Sequence, residues 1–305
     1  EDGLLLFDIS GNLLDYVYLK QIPVGTSYGR MEESGGFFYM TPTPEEENDA
    51  GFRRQSDPVT GTYEPGVYSG SDGFTVALEA AGEIYYTTDG SYPDEDSKEY
   101  TGPITLKKTT ALRYAAIESG KLVSDVMTAV YIINENHTLP VVSIVAVPEL
   151  LTGGGGIYQN YKADREIRCN FKLFDLDGNS CSIDGGVKMH GHTGLEAPKK
   201  SFKVNFRSRY GTEYLTYPVY GEDAPVVFDS LIVRAGQDYP TSIFRDELFT
   251  SLARDMGGDV LAQRDKFSIL YVNGQYYGIY RTYEAKNENL ELYVEAKGGL
   301  HESNS

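Results

Sequence analysis

The sequence contains no tryptophan and just two cysteines, Cys169 and Cys181, among its 305 residues. Two thiols cannot staple a mini-domain or build a cysteine zinc cluster. At most they form one bridge, which nothing in the sequence requires. Histidine is almost as scarce, at four. His190 and His192 stand two apart on an expected strand and so share a face, but His137 and His301 are remote in sequence. Two imidazoles are too few for a closed zinc site, and no metal centre is expected. Basic charge is in short supply: 27 Lys and Arg against 45 Asp and Glu leave a net charge of −18. A chain this acidic repels the phosphates that a general nucleic-acid binder must neutralise, which excludes that class. No apolar run approaches the roughly 18 residues of a membrane-spanning helix. The chain opens on Glu1-Asp2-Gly3 without an initiator methionine, and a removed leader is the expectation.

What the sequence does have is 25 tyrosines, 33 glycines and many short apolar runs. This composition favours strands joined by tight turns. The expected class is α+β, predominantly β, in two or three domains. Charge divides the chain. Residues 1–140 carry 9 basic and 23 acidic residues, net −14, whereas residues 141–305 carry 18 and 22, net −4. The linker-like stretch from Asn134 to Pro140 marks one boundary, and the acids and Pro58 within residues 45–62 mark a weaker one.

In residues 1–50, Leu4–Asp8 and Leu13–Tyr18 flank Ser10-Gly11-Asn12, a β-hairpin pattern. With Ser27-Tyr28-Gly29-Arg30 and Thr41-Pro42-Thr43-Pro44, this run resembles the closing strands of a lamin-tail domain. In residues 51–135, Phe74–Leu78 alternates, and Ile84–Thr88 leads into Asp89-Gly90, a hairpin-turn signal. Strands at Ile104–Leu106, Leu112–Ile117 and Val126–Tyr131 follow at sandwich spacing. The string Gly82–Pro93, with Tyr100-Thr101-Gly102-Pro103-Ile104, resembles the small β-sandwich at the C-terminus of chitobiases. In that family it is mostly an accessory module on exported proteins; its exposed tyrosines either stack on sugar rings or serve the packing of the sandwich.

Residues 136–305 hold the chemically suggestive features. Leu139–Val147 is a buried-strand run. Gly153–Gly156 lacks the Lys-Ser/Thr pair of a phosphate loop and reads as a flexible connection. Asp175–Asn179 lacks the spacing of a calcium loop and reads as an Asp-Gly turn. Between residues 197 and 212 lie five basic residues and no acid. In that run Phe202, Val204 and Phe206 alternate with Ser201, Lys203, Asn205 and Arg207, so a strand with one apolar and one basic face is expected, suited to a polyanion. A helix bounded by Pro240-Thr241-Ser242 and Gly257-Gly258 carries an apolar stripe of Phe244, Leu248, Phe249, Leu252 and Met256. Arg245 falls inside that stripe and needs a partner there; Glu247 falls outside it. Phe267–Val272, the turn Asn273-Gly274 and Gln275–Arg281 form a hairpin running into Glu284. A last helix is expected from Asn289 to Ala296.

Four motifs in this region resemble the CotH family of spore-coat-type atypical protein kinases: Gly186-Val187-Lys188-Met189-His190-Gly191, Pro198-Lys199-Lys200-Ser201-Phe202-Lys203-Val204, Phe244-Arg245-Asp246-Glu247-Leu248, and Tyr271–Tyr280 followed by Glu284. Together they cover about residues 139–297, and the module series is typical of large exported bacterial proteins. The resemblance implies a kinase-like N-lobe, an antiparallel sheet with one main helix. It implies ATP and Mg as cofactors, and Lys200, with Lys203 as runner-up, meeting the nucleotide phosphates. Strand alternation instead favours Lys203 if the face opposite Phe202 meets the nucleotide. The helix would carry Arg245 and Glu247, and the hinge near Glu284 would offer backbone groups to adenine. Phosphoryl transfer needs further acids beyond the hinge. No aspartate follows Asp265, so no catalytic residue is expected in this chain and it should not catalyse alone. Two readings follow. One is an exported kinase acting on a protein substrate. The other is a non-catalytic surface or adhesion protein whose sandwiches bind glycan or protein.

Overall fold

The computed structural model describes residues 3–18, 22–23, 25–31, 35–48, 50–70, 73–221, 224–236, 245–256 and 263–285. The chain begins with two separate ribbons, β1 (Gly3–Phe7) with β2 (Leu13–Tyr18) and β3 (Ser27–Arg30) with β4 (Phe37–Met40). The first turns at Gly11, at φ 84°, as the Ser-Gly-Asn signal requires. Its leucines stay exposed. The second is anchored: Phe38, Tyr39 and Met40 are buried, and Tyr39 bridges to Phe52.

The next module contains β5 (Thr60–Gly61), β6 (Gly66–Tyr68), β7 (Phe74–Val76), β8 (Leu78–Glu79), β9 (Glu83–Thr87), β10 (Lys98–Glu99), β11 (Ile104–Leu106), β12 (Thr110–Ile117) and β13 (Met127–Ile133). A five-stranded sheet of order β10-β9-β12-β13-β6 faces the small pairs β11-β7 and β5-β8. Val76, Leu78, Ile84, Tyr86, Leu106, Leu112, Tyr114 and Tyr131 fill the space between them. Asp89-Gly90 does not close a two-residue hairpin. β9 pairs instead with β10, ten residues further on. The Asp89 carboxylate accepts from the Ser91 backbone N–H at 2.9 Å, an Asx turn, and Gly90 supplies the positive φ of 99°.

β12 is buried along seven of its eight residues, with no alternation. The reason lies on its far side. There Ala111, Val130 and Ile132 pack against Val141, Val145, Phe174, Ile269 and Tyr271 of the third module. Arg113, 2% exposed, crosses this junction. It donates to Gly90 O at 2.6 Å, Val145 O at 3.1 Å and Thr128 Oγ1 at 3.2 Å, and lies 4.5 Å from the Tyr92 ring centre.

The third module is a closed barrel of order β14-β15-β16-β17-β20-β22-β21. Its strands are β14 (Val141–Ala146), β15 (Ile167–Phe174), β16 (Ser180–His190), β17 (Ser201–Asn205), β20 (Ser230–Arg234), β21 (Asp265–Val272) and β22 (Gln275–Glu284). The short pair β18 (Leu215–Thr216) and β19 (Val227–Phe228), the turn of helix α1 (Pro148–Leu151) and helix α2 (Arg245–Asp255) are added outside that order. All barrel pairs are antiparallel except β14 with β21, which closes the ring. The expected sheet is therefore present but wrapped on itself, so its apolar face becomes an interior lined by Val142, Ile144, Phe171, Phe202, Val204 and Tyr280. The Asn273-Gly274 turn has φ of 49° and 74°, the two positive values a tight hairpin demands. It also grips the junction. The Asn273 side chain exchanges two 2.9 Å hydrogen bonds with the Ala146 backbone, and a Cβ on Gly274 would lie 2.9 Å from Ala111 N.

Helix α2 differs from expectation. Leu248, Phe249, Leu252 and Met256, the stripe expected to be buried, are all exposed, Phe249 at 66%. The barrel fills its interior largely with its own strands, and no described α2 side chain joins a core cluster. Phe244 and the helix expected at residues 289–296 lie outside the described residues. Cys169 and Cys181 are free thiols, set on opposite Gly185 and Leu173 rather than on each other.

Candidate anion-binding face

The barrel's alternation separates two sets of side chains. Phe202 and Val204 point inward and are fully buried; Lys203, between them, points outward and is half-buried. Directly across the ladder from Lys203 stand Lys188 on β16 and Ile232 on β20. His190 lies two residues beyond Lys188, and Arg234 two beyond Ile232. The four polar groups share one electrostatic neighbourhood. Burial lowers the His190 imidazole below its ordinary value, and the charges of Lys203, Lys188 and Arg234 lower it further. Lys188 is paired with Asp164 at 2.8 Å.

The fate of the basic run singles out Lys203. Lys199 donates to Ile279 O at 2.6 Å and sits 4.3 Å from the Tyr280 ring centre. Arg207 and Arg209 both reach Glu166, whose side chain is 11% exposed and also accepts from Asn205 Nδ2 at 2.6 Å and Tyr210 OH at 2.9 Å. Burial pushes the Glu166 carboxyl up, but hydrogen bonds from Arg209 and Tyr210 and the charge of Arg207 outweigh it, holding it below the ordinary carboxylate value. Lys200, 7% exposed, donates to the carbonyls of Leu195 and Ala197 and lies 4.2 Å from the Tyr161 ring centre. Of the five cations, Lys203 alone has no hydrogen bond or ion pair among the described residues.

The sequence-predicted residues thus scatter. Lys200 is a clasp on the Leu195–Ala197 turn, its ammonium occupied by two carbonyls. Glu284 is 3% exposed and faces Leu231, on the side of the ladder opposite Lys203. Its backbone N–H donates to Arg264 O at 3.0 Å and its carbonyl accepts from Gln263 Nε2 at 2.6 Å, so the main-chain groups expected to meet adenine are occupied. Its carboxylate accepts from Arg264 N at 3.3 Å. The side chains of Arg245 and Glu247 lie outside the described residues. Sequence reasoning passed over Lys188 and Arg234, which join Lys203 through cross-strand register rather than through any charge run. Their alternation with Val187, Met189 and Val233 was the available signal.

An outward face on which Lys203 has no hydrogen bond or ion pair among the described residues can hold phosphate oxygens, Lys203 acting as a point charge. No group of three or more His, Cys, Asp or Glu side chains that could hold a metal occurs among the described residues. No described helix is long and apolar enough to cross a membrane. Residues 75–131 match the family model described as Fn3 associated, consistent with the β-sandwich module expected ahead of the CotH-like region. Residues 187–302 match the model described as CotH kinase protein. No curated protein matches the chain. Strands β14 and β15 precede the second match and yet complete its barrel. The chain is therefore similar to the Fn3 associated family over residues 75–131 and to the CotH kinase protein family over residues 187–302.

Proposed function

We propose that this chain is the nucleotide-binding part of an exported CotH-type protein kinase, with Lys203 meeting the phosphates of ATP on the outer face of the barrel. The observation that carries the reading is the isolation of Lys203. Its four companions in the basic run are engaged by partners, whereas it stands half-buried beside Lys188, His190 and Arg234. The match to the CotH kinase protein family over residues 187–302 supports the choice of ATP over other polyanions. The described residues fit the phosphates better than the magnesium ion. With no acidic cluster at hand, the metal would arrive on the nucleotide, and its chemistry, neutralising phosphate charge, would be supplied by the bound complex. Export, with a lamin-tail-type segment at residues 1–50, belongs to the same reading through the association of such modules.

Calorimetric titration of Mg-ATP into the full chain tests this. Lys203→Ala should weaken binding by about tenfold, the value of one charge-assisted hydrogen bond. Lys200→Ala should leave affinity near wild type while lowering the unfolding temperature. No heat at millimolar nucleotide, or equal affinity in Lys203→Ala, would leave the non-catalytic surface protein as the better account.

A further inference from the structure

The junction between the sandwich and the barrel buries charge that its own residues do not balance. On the outer face of β14, β15 and β16, successive rungs run Ser143–Lys172–Ser182, Val145–Asn170–Asp184 and Arg168–Gly186. Lys172 is 4% exposed, yet among the described residues it donates just one hydrogen bond, to Ser182 Oγ at 2.6 Å, and has no ion pair. An ammonium carries three donors, so two remain unused. Beside it, the Ser143 hydroxyl is fully buried with no partner. Asn170 Oδ1 and Arg168 Nη1, on the next two rungs, are buried and unpartnered as well. Arg113 approaches from the sandwich and meets neutral acceptors alone. Among the described residues, the carboxylate that hydrogen-bonds within this group is Asp184, and it is already taken by Arg168 at 2.6 Å and Asn170 at 2.8 Å. Water would satisfy the orphaned atoms but not the charge.

We propose that this junction binds a small monovalent oxyanion that keeps at least one O–H, of the bicarbonate or dihydrogen phosphate class. Its bare oxygens accept from the Lys172 ammonium, the Ser143 hydroxyl and the free Arg168 N–H. Its own O–H donates to Asn170 Oδ1. Chloride offers no donor for the last contact. Burial pulls the Lys172 ammonium down to about 8 even against the opposing charge of Asp184, and a bound anion would raise it again.

The test is the unfolding midpoint of the full chain near neutral pH, at fixed ionic strength, with sodium bicarbonate, sodium phosphate or sodium chloride. Bicarbonate or phosphate should raise the midpoint by about 5 °C near saturation, and chloride should do markedly less. Whichever oxyanion acts identifies the ligand. Lys172→Met should abolish the shift, and Ser143→Ala, which removes a single hydroxyl, should weaken it. If Lys172→Met does not fold, carbon NMR of labelled bicarbonate with wild type and Ser143→Ala reads binding directly. Equal response to all three salts, no response, or an undiminished response in Ser143→Ala would overturn the proposal.

Discussion

The two halves of the barrel's outer surface behave differently although the same strands build them. Under the sandwich, Val141, Val145, Phe174, Ile269 and Tyr271 form an apolar contact pierced by Arg113. Around the ring, on β16, β17 and β20, the equivalent outward positions carry Lys188, His190, Lys203 and Arg234. The interior is alike behind both, a continuous aliphatic and aromatic core. Inward residues are thus set by the barrel, while outward residues are set by what each half meets: a neighbouring module on one side, solvent and its solutes on the other.

The contrast is broken most severely at Arg113. Arg113→Ala would strand the Gly90 and Val145 carbonyls and leave a cavity where the guanidinium and the Tyr92 ring now stack. A loss of about 3 to 5 kcal/mol in denaturant unfolding is expected. Sandwich and barrel should then unfold in separate transitions, because the clasp between their hydrophobic clusters is gone. A loss under about 1 kcal/mol, with one transition retained, would mean that the apolar contact alone joins the modules.

Glu166 tests the open half. It gathers Asn205, Arg207, Arg209 and Tyr210, so Glu166→Gln should cost about 2 kcal/mol by weakening two charge-assisted bonds. Its folded carboxyl titrates below the unfolded value, so its contribution is complete above about pH 4.3 and disappears as pH falls through the lower folded value. The variant should therefore show a flatter acid limb in stability against pH. Nucleotide binding in Glu166→Gln sharpens the point. If freed arginines raise affinity, the open half is limited by cation supply, and Lys203 is not its sole anchor.

Much of the fold was legible in sequence, and the reasons are local. Strand periodicity at Phe202, Val204 and Phe206 assigned the inner face correctly, and Asn273-Gly274 encoded its hairpin because two consecutive positive φ values leave little choice. Barrel closure was not legible, since the parallel pairing of β14 with β21 joins segments more than a hundred residues apart. The uniform burial of β12 was equally hidden, because its second covering face belongs to another module. The site was half legible. A charge run drew attention to five cations, but whether each is free depends on Glu166, Leu195, Ala197 and Ile279, none of which announces the contact in sequence. Alternation pointed to Lys203, whereas the resemblance favoured Lys200, and the geometry leaves Lys203 available.

The mildest expected effect comes from helix α2. Its apolar side chains are exposed, at 53% for Leu248 and 44% for Leu252. Burial energetics therefore assign them almost no share in folding. Leu248→Ser and Leu252→Ser should each change stability by under about 0.5 kcal/mol, as exposed positions generally do, with a small helix-propensity cost included. The comparison value is Val145→Ser on the covered half, where the same loss of aliphatic surface falls inside a packed junction and should cost several times more. Equal costs at the two places would show that α2 has a covering of its own, and the open half of the barrel would then be smaller than the exposed residues indicate.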